Sequence, residues 1–354
     1  MATYEEFRFV AAQLAWLERQ LQAQPLAVDT GTMQRAMDAL VCARAVIDQL
    51  VDLGDAAPVQ AGATIASDKD GGQAVGDLYR DAQGKALNKP VHELIGGCCQ
   101  PRIPLEWSVS MAEDVQTMIE EARRAVEEYG IKVLCLKMAD RRGWKQDVSN
   151  FAAVRKALGN DVMIGIDPNC GWTLGDSLLA IEAIKPMGLG YIEQPIARRD
   201  LHGMAEIRRA AGGIPVMADE GIFTIQDAMA HAEARAVDVF CIKLYKVGGL
   251  TPAKKIAAIA EASNIQLNCG GLAVQSQLEA AAGAHFYAST PASRMMGAAE
   301  FVFGLNTNAK DPLCPESDFK VENGFVNVPK GPGLGITIDE KLLKANTLLQ
   351  ERVG

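Results

Sequence analysis

At 354 residues the chain is long enough for one large α/β domain and a smaller one. Hydrophobic residues make up 49% and charged residues 22%, as in a globular enzyme, and a formal net charge of −9 offers no basic surface to a nucleic acid or an anionic membrane. No apolar run reaches 18 residues and no signal-like segment opens the sequence, so the expectation is a cytoplasmic protein with no membrane partner.

In chain order, residues 4–23 and 32–53 carry apolar positions at helical spacing, with Thr32 as an N-cap candidate. Residues 54–76 turn Gly-, Ala- and Asp-rich and read as a loop. A helix is expected from Ala74 to Leu87, and a short one from Val91 to Ile95 closed by Gly96-Gly97. From Ile103 a β/α rhythm begins. Strands are expected at 103–110, 133–137, 162–167, 190–193, 215–219, 238–243 and 265–269, with a weak eighth near 284–287. Helices at 114–128, 145–157, 174–185, 202–211, 225–233, 251–263 and 273–282 fill the gaps. No GxGxxG or P-loop stands at a strand-to-helix turn, which disfavours a doubly wound open sheet. The fold class is therefore α/β, a (β/α)8 TIM-type barrel with a smaller α+β capping domain formed from both chain ends. The expected boundaries are 1–101 for the cap, 102–318 for the barrel, and 319–354 for a segment that returns to the cap through the Pro-Gly turns of Lys320–Ile338.

Five ionisable residues end five of the apolar runs. Lys137 is followed by Asp167 after 30 residues, and then Glu193, Asp219 and Lys243 follow at intervals of 26, 26 and 24. One strand, one helix and two loops occupy about such a length. Strand ends of a barrel converge on one mouth, so three acids fall on one arc between two lysines on opposite strands. Three hard oxygen donors suit Mg2+ or Mn2+ with positions left for a substrate carboxylate. A lysine on each side, its pKa lowered by the cation, can move a proton α to that carboxylate while the metal stabilises the enediolate. Singly, each acid reads as a helix N-cap and each lysine as a solvated loop residue; the register of all five carries the argument. Of eight cysteines, Cys135, Cys241 and Cys269 lie in strands and are expected as buried free thiols, with no CxxC or zinc-ligand spacing.

These residues resemble the enolase superfamily in its muconate-lactonizing-enzyme subgroup. Leu136-Lys137-Met138 resembles the second half of the subgroup's Lys-x-Lys, and Asp167-Pro168-Asn169-Cys170-Gly171-Trp172 its Asp-x-Asn-x-x-Trp. Glu193-Gln194-Pro195, Ala218-Asp219-Glu220 and Lys243 followed by Gly248-Gly249 are similar to the remaining motifs, and the likeness runs from about residue 77 to the end. The resemblance implies metal ligands Asp167, Glu193 and Asp219, bases Lys137 and Lys243, a small carboxylate substrate and a homo-oligomer. It implies a muconate cycloisomerase-like lyase. A racemase or epimerase of N-acyl amino acids or dipeptides and a hydroxy-acid dehydratase are the enzymatic alternatives, and a non-catalytic barrel without a working lid is the other class. No Asp-x-Asp of dipeptide epimerases stands between His285 and Leu305, and no histidine replaces the second lysine as in mandelate racemases. Glu300 resembles the acid near the eighth strand that contacts the substrate carboxylate. Asn169 is a candidate for metal-water or substrate contact, Glu220 is expected to face away, and Lys246 is expected at the surface.

The sequence departs from the family pattern twice. It starts in helices where the family has a strand-and-loop segment that closes over substrate. Cys135 stands at the first Lys of Lys-x-Lys, on the same side of its strand as Lys137, and supplies no positive charge to the base. Cys135→Lys is expected to shift the acidic limb of the pH–rate profile, and an unchanged profile would remove this role for position 135.

Overall fold

The computed structural model describes residues 80–271, 276–314 and 317–346. The expected helices at 4–23 and 32–53 and the loop at 54–76 lie outside the described residues. Nine strands are formed among the described ones: β1 (Arg102–Pro104), β2 (Glu106–Val109), β3 (Val133–Lys137), β4 (Met163–Asp167), β5 (Leu189–Glu193), β6 (Val216–Ala218), β7 (Val239–Ile242), β8 (Gln266–Cys269) and β9 (Phe325–Asn327). Strands β2 to β8 form one parallel sheet in sequence order, the arrangement right-handed βαβ crossovers give. Four of the intervening helices begin where the sequence offers a capping side chain, and those at Trp144 and Leu250 begin after a glycine. Asp114, Thr173, Asp200 and Thr224 each accept a backbone N–H in the first turn, and Thr224 with Asp227 completes a capping box.

The seven strands curl until an eighth segment closes the ring. That segment is 295–300, not the expected 284–287. Met296 N donates to Leu267 O at 2.7 Å and Glu300 N to Cys269 O at 2.9 Å on one side. Across the seam, Ala299 N donates to Pro104 O and Glu106 N to Ala299 O, both at 2.8 Å. Residues 284–287 belong instead to the helix Gln277–Ala288, ten of whose residues are buried. A helix enclosed on all sides has no polar face, so its apolar run loses the 3.6-residue signature and mimics a strand.

Two cores result from strand alternation. Outward residues such as Leu134, Leu136, Ile164, Ile166, Phe240 and Ile242 pack against the helices in the large shell core. Inward, Cys135, Tyr191, Met217, Val239 and Cys241 fill the lumen. Cys135, Cys241 and Cys269 are buried free thiols, as expected. Gly165 on β4 leaves room for Tyr191: a Cβ at that position would stand 2.2 Å from the Tyr191 ring.

The C-terminal segment returns to the entrance strand. β9 pairs antiparallel with β1, and Gly333 exchanges backbone hydrogen bonds with Lys89 and Val91 at 3.0 and 2.9 Å. His285 is fully buried, with Nδ1 3.0 Å from His92 Nδ1 and Nε2 3.1 Å from Leu334 O. No helix among the described residues is long and apolar enough to cross a membrane.

Because the lumen is filled, Gly165→Ala is expected to destabilise the barrel by about 1–3 kcal/mol, the usual cost of overpacking. Urea unfolding measures it; an unchanged midpoint would mean that the Tyr191 ring moves freely.

Candidate active site

Parallel pairing sets the mouth. Lys137 and Asp167 are register partners at the ends of β3 and β4, and Glu193 ends β5. Asp219 follows β6 and Lys243 follows β7. The five residues the sequence placed in register therefore do meet, joined by Glu300 from the closing segment. Lys137 Nζ lies 2.6 Å from Asp167 Oδ2, and Lys243 Nζ 2.7 Å from Asp219 Oδ2. Both lysines also approach Glu300, each at 3.6 Å, Lys137 to Oε1 and Lys243 to Oε2. Ser108 Oγ donates to Glu300 Oε1 at 2.5 Å and holds it in place. Gly270 makes space for this arrangement, since a Cβ there would come within 2.5 Å of Lys243 Cε.

Lys246 is not at the surface. The four-residue helix Leu244–Val247 is capped by Lys243, and one helical turn brings the residue three positions on to the same side. Its buried ammonium donates to Asp219 Oδ1, to Asp219 O and, at 3.2 Å, to Cys241 O. Glu220 does not face away either. Asn169, in a left-handed conformation after β4, donates through Nδ2 to Asp167 Oδ2 at 2.8 Å and to Glu220 Oε1 at 3.1 Å. Gln194 fixes the next strand end, its Oε1 accepting from the Asp219 and Gly221 amides at 3.0 Å.

Below the mouth lies a pair the sequence analysis did not single out. Tyr191 OH donates to Glu106 Oε1 at 2.6 Å inside the lumen, and Glu106 Oε2 has no hydrogen-bond partner. The signal was present as an acid on the inward side of β2, two residues before Ser108. Burial, reinforced by the charge of Glu300, pushes the Glu106 carboxyl up to about 8.

Four carboxylates (Asp167, Glu193, Asp219, Glu300) share the mouth with three ammonium groups (Lys137, Lys243, Lys246). Burial and the neighbouring acids raise the Glu193 carboxyl well above its ordinary range, and burial outweighs Lys137 and Lys243 to raise Asp167. Asp219 is the exception: burial is overcome by Lys243 and Lys246, which hold it low. Burial alone would lower Lys137 and Lys243, but Glu300 and Asp167 raise the first and Asp219 and Glu300 the second. This sign is opposite to the lowered lysine pKa expected beside a cation, because the neighbouring carboxylates outweigh burial.

A divalent cation fits this donor set. Glu193 Oε1 is buried without a hydrogen-bond partner, with Lys243 Nζ 4.0 Å away, and the raised Asp167 and Glu193 carboxyls are what a second positive centre would relieve. Two groups of three have ligand atoms within 4.8 Å of one another: Cys135–Asp167–Glu193 and Glu193–Cys241–Glu300. Asp219 joins neither, being turned to the lysines.

Comparison with known proteins places this geometry. The family model described as enolase C-terminal domain-like matches residues 117–342. Muconate cycloisomerase 1-2 of Acinetobacter lwoffii is 34% identical over 266 residues, covering 75% of this chain and 67% of that protein. N-succinyl-L-Arg/Lys racemase of Bacillus cereus is 32% identical over 274 residues, covering 77% and 70%. The structure of muconate lactonizing enzyme from Pseudomonas fluorescens complexed with muconolactone superposes with a TM-score of 0.72 at 29% identity, covering 80% of this chain and 74% of that one.

The Glu106 carboxyl makes stability pH-dependent. Its folded pKa, about 8, lies above the unfolded value of 4.5, so its stabilising contribution is full below pH 4.5 and is lost as pH rises towards 8. Stability is expected to fall by up to about 1.4 kcal/mol per pH unit across that window. Glu106→Gln should flatten the dependence in denaturant unfolding followed against pH; an unaltered slope would assign it elsewhere.

Proposed function

The chain belongs to the enolase C-terminal domain-like family, and from that premise we propose that this enolase-superfamily enzyme moves a proton α to the carboxylate of a small substrate, as a cycloisomerase acting on a muconate-like diacid. Enzymes of this superfamily use a lysine or histidine base with a divalent cation. Asp167, Glu193 and Asp219 are the residues to hold it, as Mg2+ or Mn2+. When bound, the cation supplies the positive charge that stabilises the enediolate and offsets the carboxylates that otherwise keep the lysines protonated.

The observation that supports this reading most is the placement of Lys137 and Lys243. They stand at the ends of β3 and β7, four staves apart in a ring of eight, yet each reaches one oxygen of the same carboxylate, Glu300, at 3.6 Å. A planar carbon lying between them has an ammonium or amine on each face. One lysine takes or gives the proton, and the other stabilises the opposite face by its charge. Asn169 orients Asp167, and Lys246 orients Asp219. Ser108 fixes Glu300 so that it shares its charge between the two bases.

The same two-sided placement favours, as a second reading, inversion of an N-acyl amino acid, with one lysine removing the proton and the other returning it. This is the kind of reaction named for the Bacillus cereus relative.

In deuterated water with Mg2+ or Mn2+, the enzyme is expected to exchange the α-proton of one substrate from a panel of muconates, muconolactones and N-succinyl amino acids, and not to do so after chelation. Lys137→Ala and Lys243→Ala should each lower turnover by about 10²–10⁴-fold. Asp167→Asn and Glu193→Gln should abolish metal-dependent turnover. Lactone formation chooses the first reading and an inverted stereocentre the second; exchange that persists without metal or in Asp167→Asn would sink both.

A further inference from the structure

Cys135 does more than fill the lumen. Its Sγ lies 3.8 Å from Glu193 Oε2, and it can offer a ligand atom within 4.8 Å of those of both Asp167 and Glu193. All three side chains are buried. A second observation points independently to a ligand here: the buried Glu193 Oε1 has no hydrogen-bond partner. Asp219, the third acid of the series, is committed to Lys243 and Lys246, which hold one oxygen each. The nearest ready-made set of three donors at the mouth is therefore one sulfur and two carboxylates. A thiolate is a soft ligand, and replacing a hard donor by sulfur moves a site's preference from Mg2+ towards Zn2+ or Cd2+.

We propose that Cys135, Asp167 and Glu193 form a mixed thiolate–carboxylate site for a thiophilic divalent cation, Zn2+ or Cd2+, at the mouth of the barrel. The proposal deepens the reading of the same metal centre and rests on Asp167 and Glu193 being ligands. It adds a ligand and a change of metal preference. A cation so held shares two ligands with Mg2+ or Mn2+, so the two kinds of ion exclude each other. Cys241, in the other group with Glu193 and Glu300, lies beside the aliphatic stem of Lys243, and its thiol is directed to Asn268 Oδ1 at 3.7 Å rather than to a carboxylate. Cys135 Sγ instead faces Glu193 Oε2, a carboxylate of the proposed site, at 3.8 Å, and is the better thiol of the two.

The test uses the full chain, stripped with chelator, in a Cys98→Ser, Cys99→Ser background, because those two thiols are exposed and adjacent. Cd2+ is titrated while the ultraviolet thiolate-to-cadmium charge-transfer band is followed. One equivalent should produce the band, Cys135→Ser should lose it, and Cys241→Ser should keep it. Mn2+ binding, read by water-proton relaxation, should survive in Cys135→Ser, and Cd2+ should displace Mn2+ at least about tenfold less effectively from that variant. Surviving Mn2+ binding also reports that the variant is folded; if it is lost, Cys135→Ala replaces it. A band unchanged in Cys135→Ser, or absent from the parent, overturns the proposal. Failure of the functional reading looks different: Mn2+ binding would then be indifferent to Asp167→Asn.

Discussion

Most of this structure is organised by one electrostatic constraint: four carboxylates and three lysines are buried together where parallel strands end. Burying a charge is costly unless it is paired, and the closest pairings here are made between neighbouring staves. Lys137 pairs with Asp167 across β3 and β4, and Lys243 and Lys246 pair with Asp219 from the turn after β7. Glu300 arrives on the segment that closes the ring and bridges the two lysines from the far side. Closure of the barrel and assembly of the charge cluster are thus the same event. A ring left open at 295–300 would leave both lysines without one of their counter-charges.

The acids outnumber the lysines, and the surplus falls on Glu193. Its carboxyl has one weak sulfur neighbour and one oxygen without a hydrogen-bond partner, and it is the member whose ionisation burial resists most plainly. This is the physical reason that the cluster asks for a cation rather than being a set of structural ion pairs. Structural pairs would be balanced, as Asp219 is by its two lysines. The imbalance is therefore located at the strand ends β4 and β5, on the side where Cys135 also faces inward.

Beneath the charged mouth, the lumen is packed rather than open. Tyr191 lies across Gly165, and its hydroxyl meets Glu106, an acid kept protonated by burial and by Glu300 above it. A protonated carboxyl adds no further negative charge to a mouth that already has too much. The sulfur atoms of Cys135 and Cys241 and the side chain of Met217 complete a polarisable floor, in place of the branched aliphatic residues usual for such barrels.

The sequence by itself determined the β/α order and the strand-end series of Lys137, Asp167, Glu193, Asp219 and Lys243. Each of these follows from a local rule: a repeat length or alternation along a strand. The family likeness was legible for the same reason, since its motifs sit at those strand ends. Tertiary structure alone decided what local rules cannot reach. Residues 284–287 are helix because neighbours enclose that segment, and 295–300 became the eighth stave because it reaches both Leu267 and Pro104. Lys246 turned inward because a single helical turn follows Lys243 where a loop was expected. Glu106 keeps its proton because closure of the ring buries it and brings Glu300 near it, against the hydrogen bond from Tyr191, which favours the ionised form. In each case the deciding contact joins residues far apart along the chain, or depends on how many neighbours surround a segment, and neither is written in its own pattern.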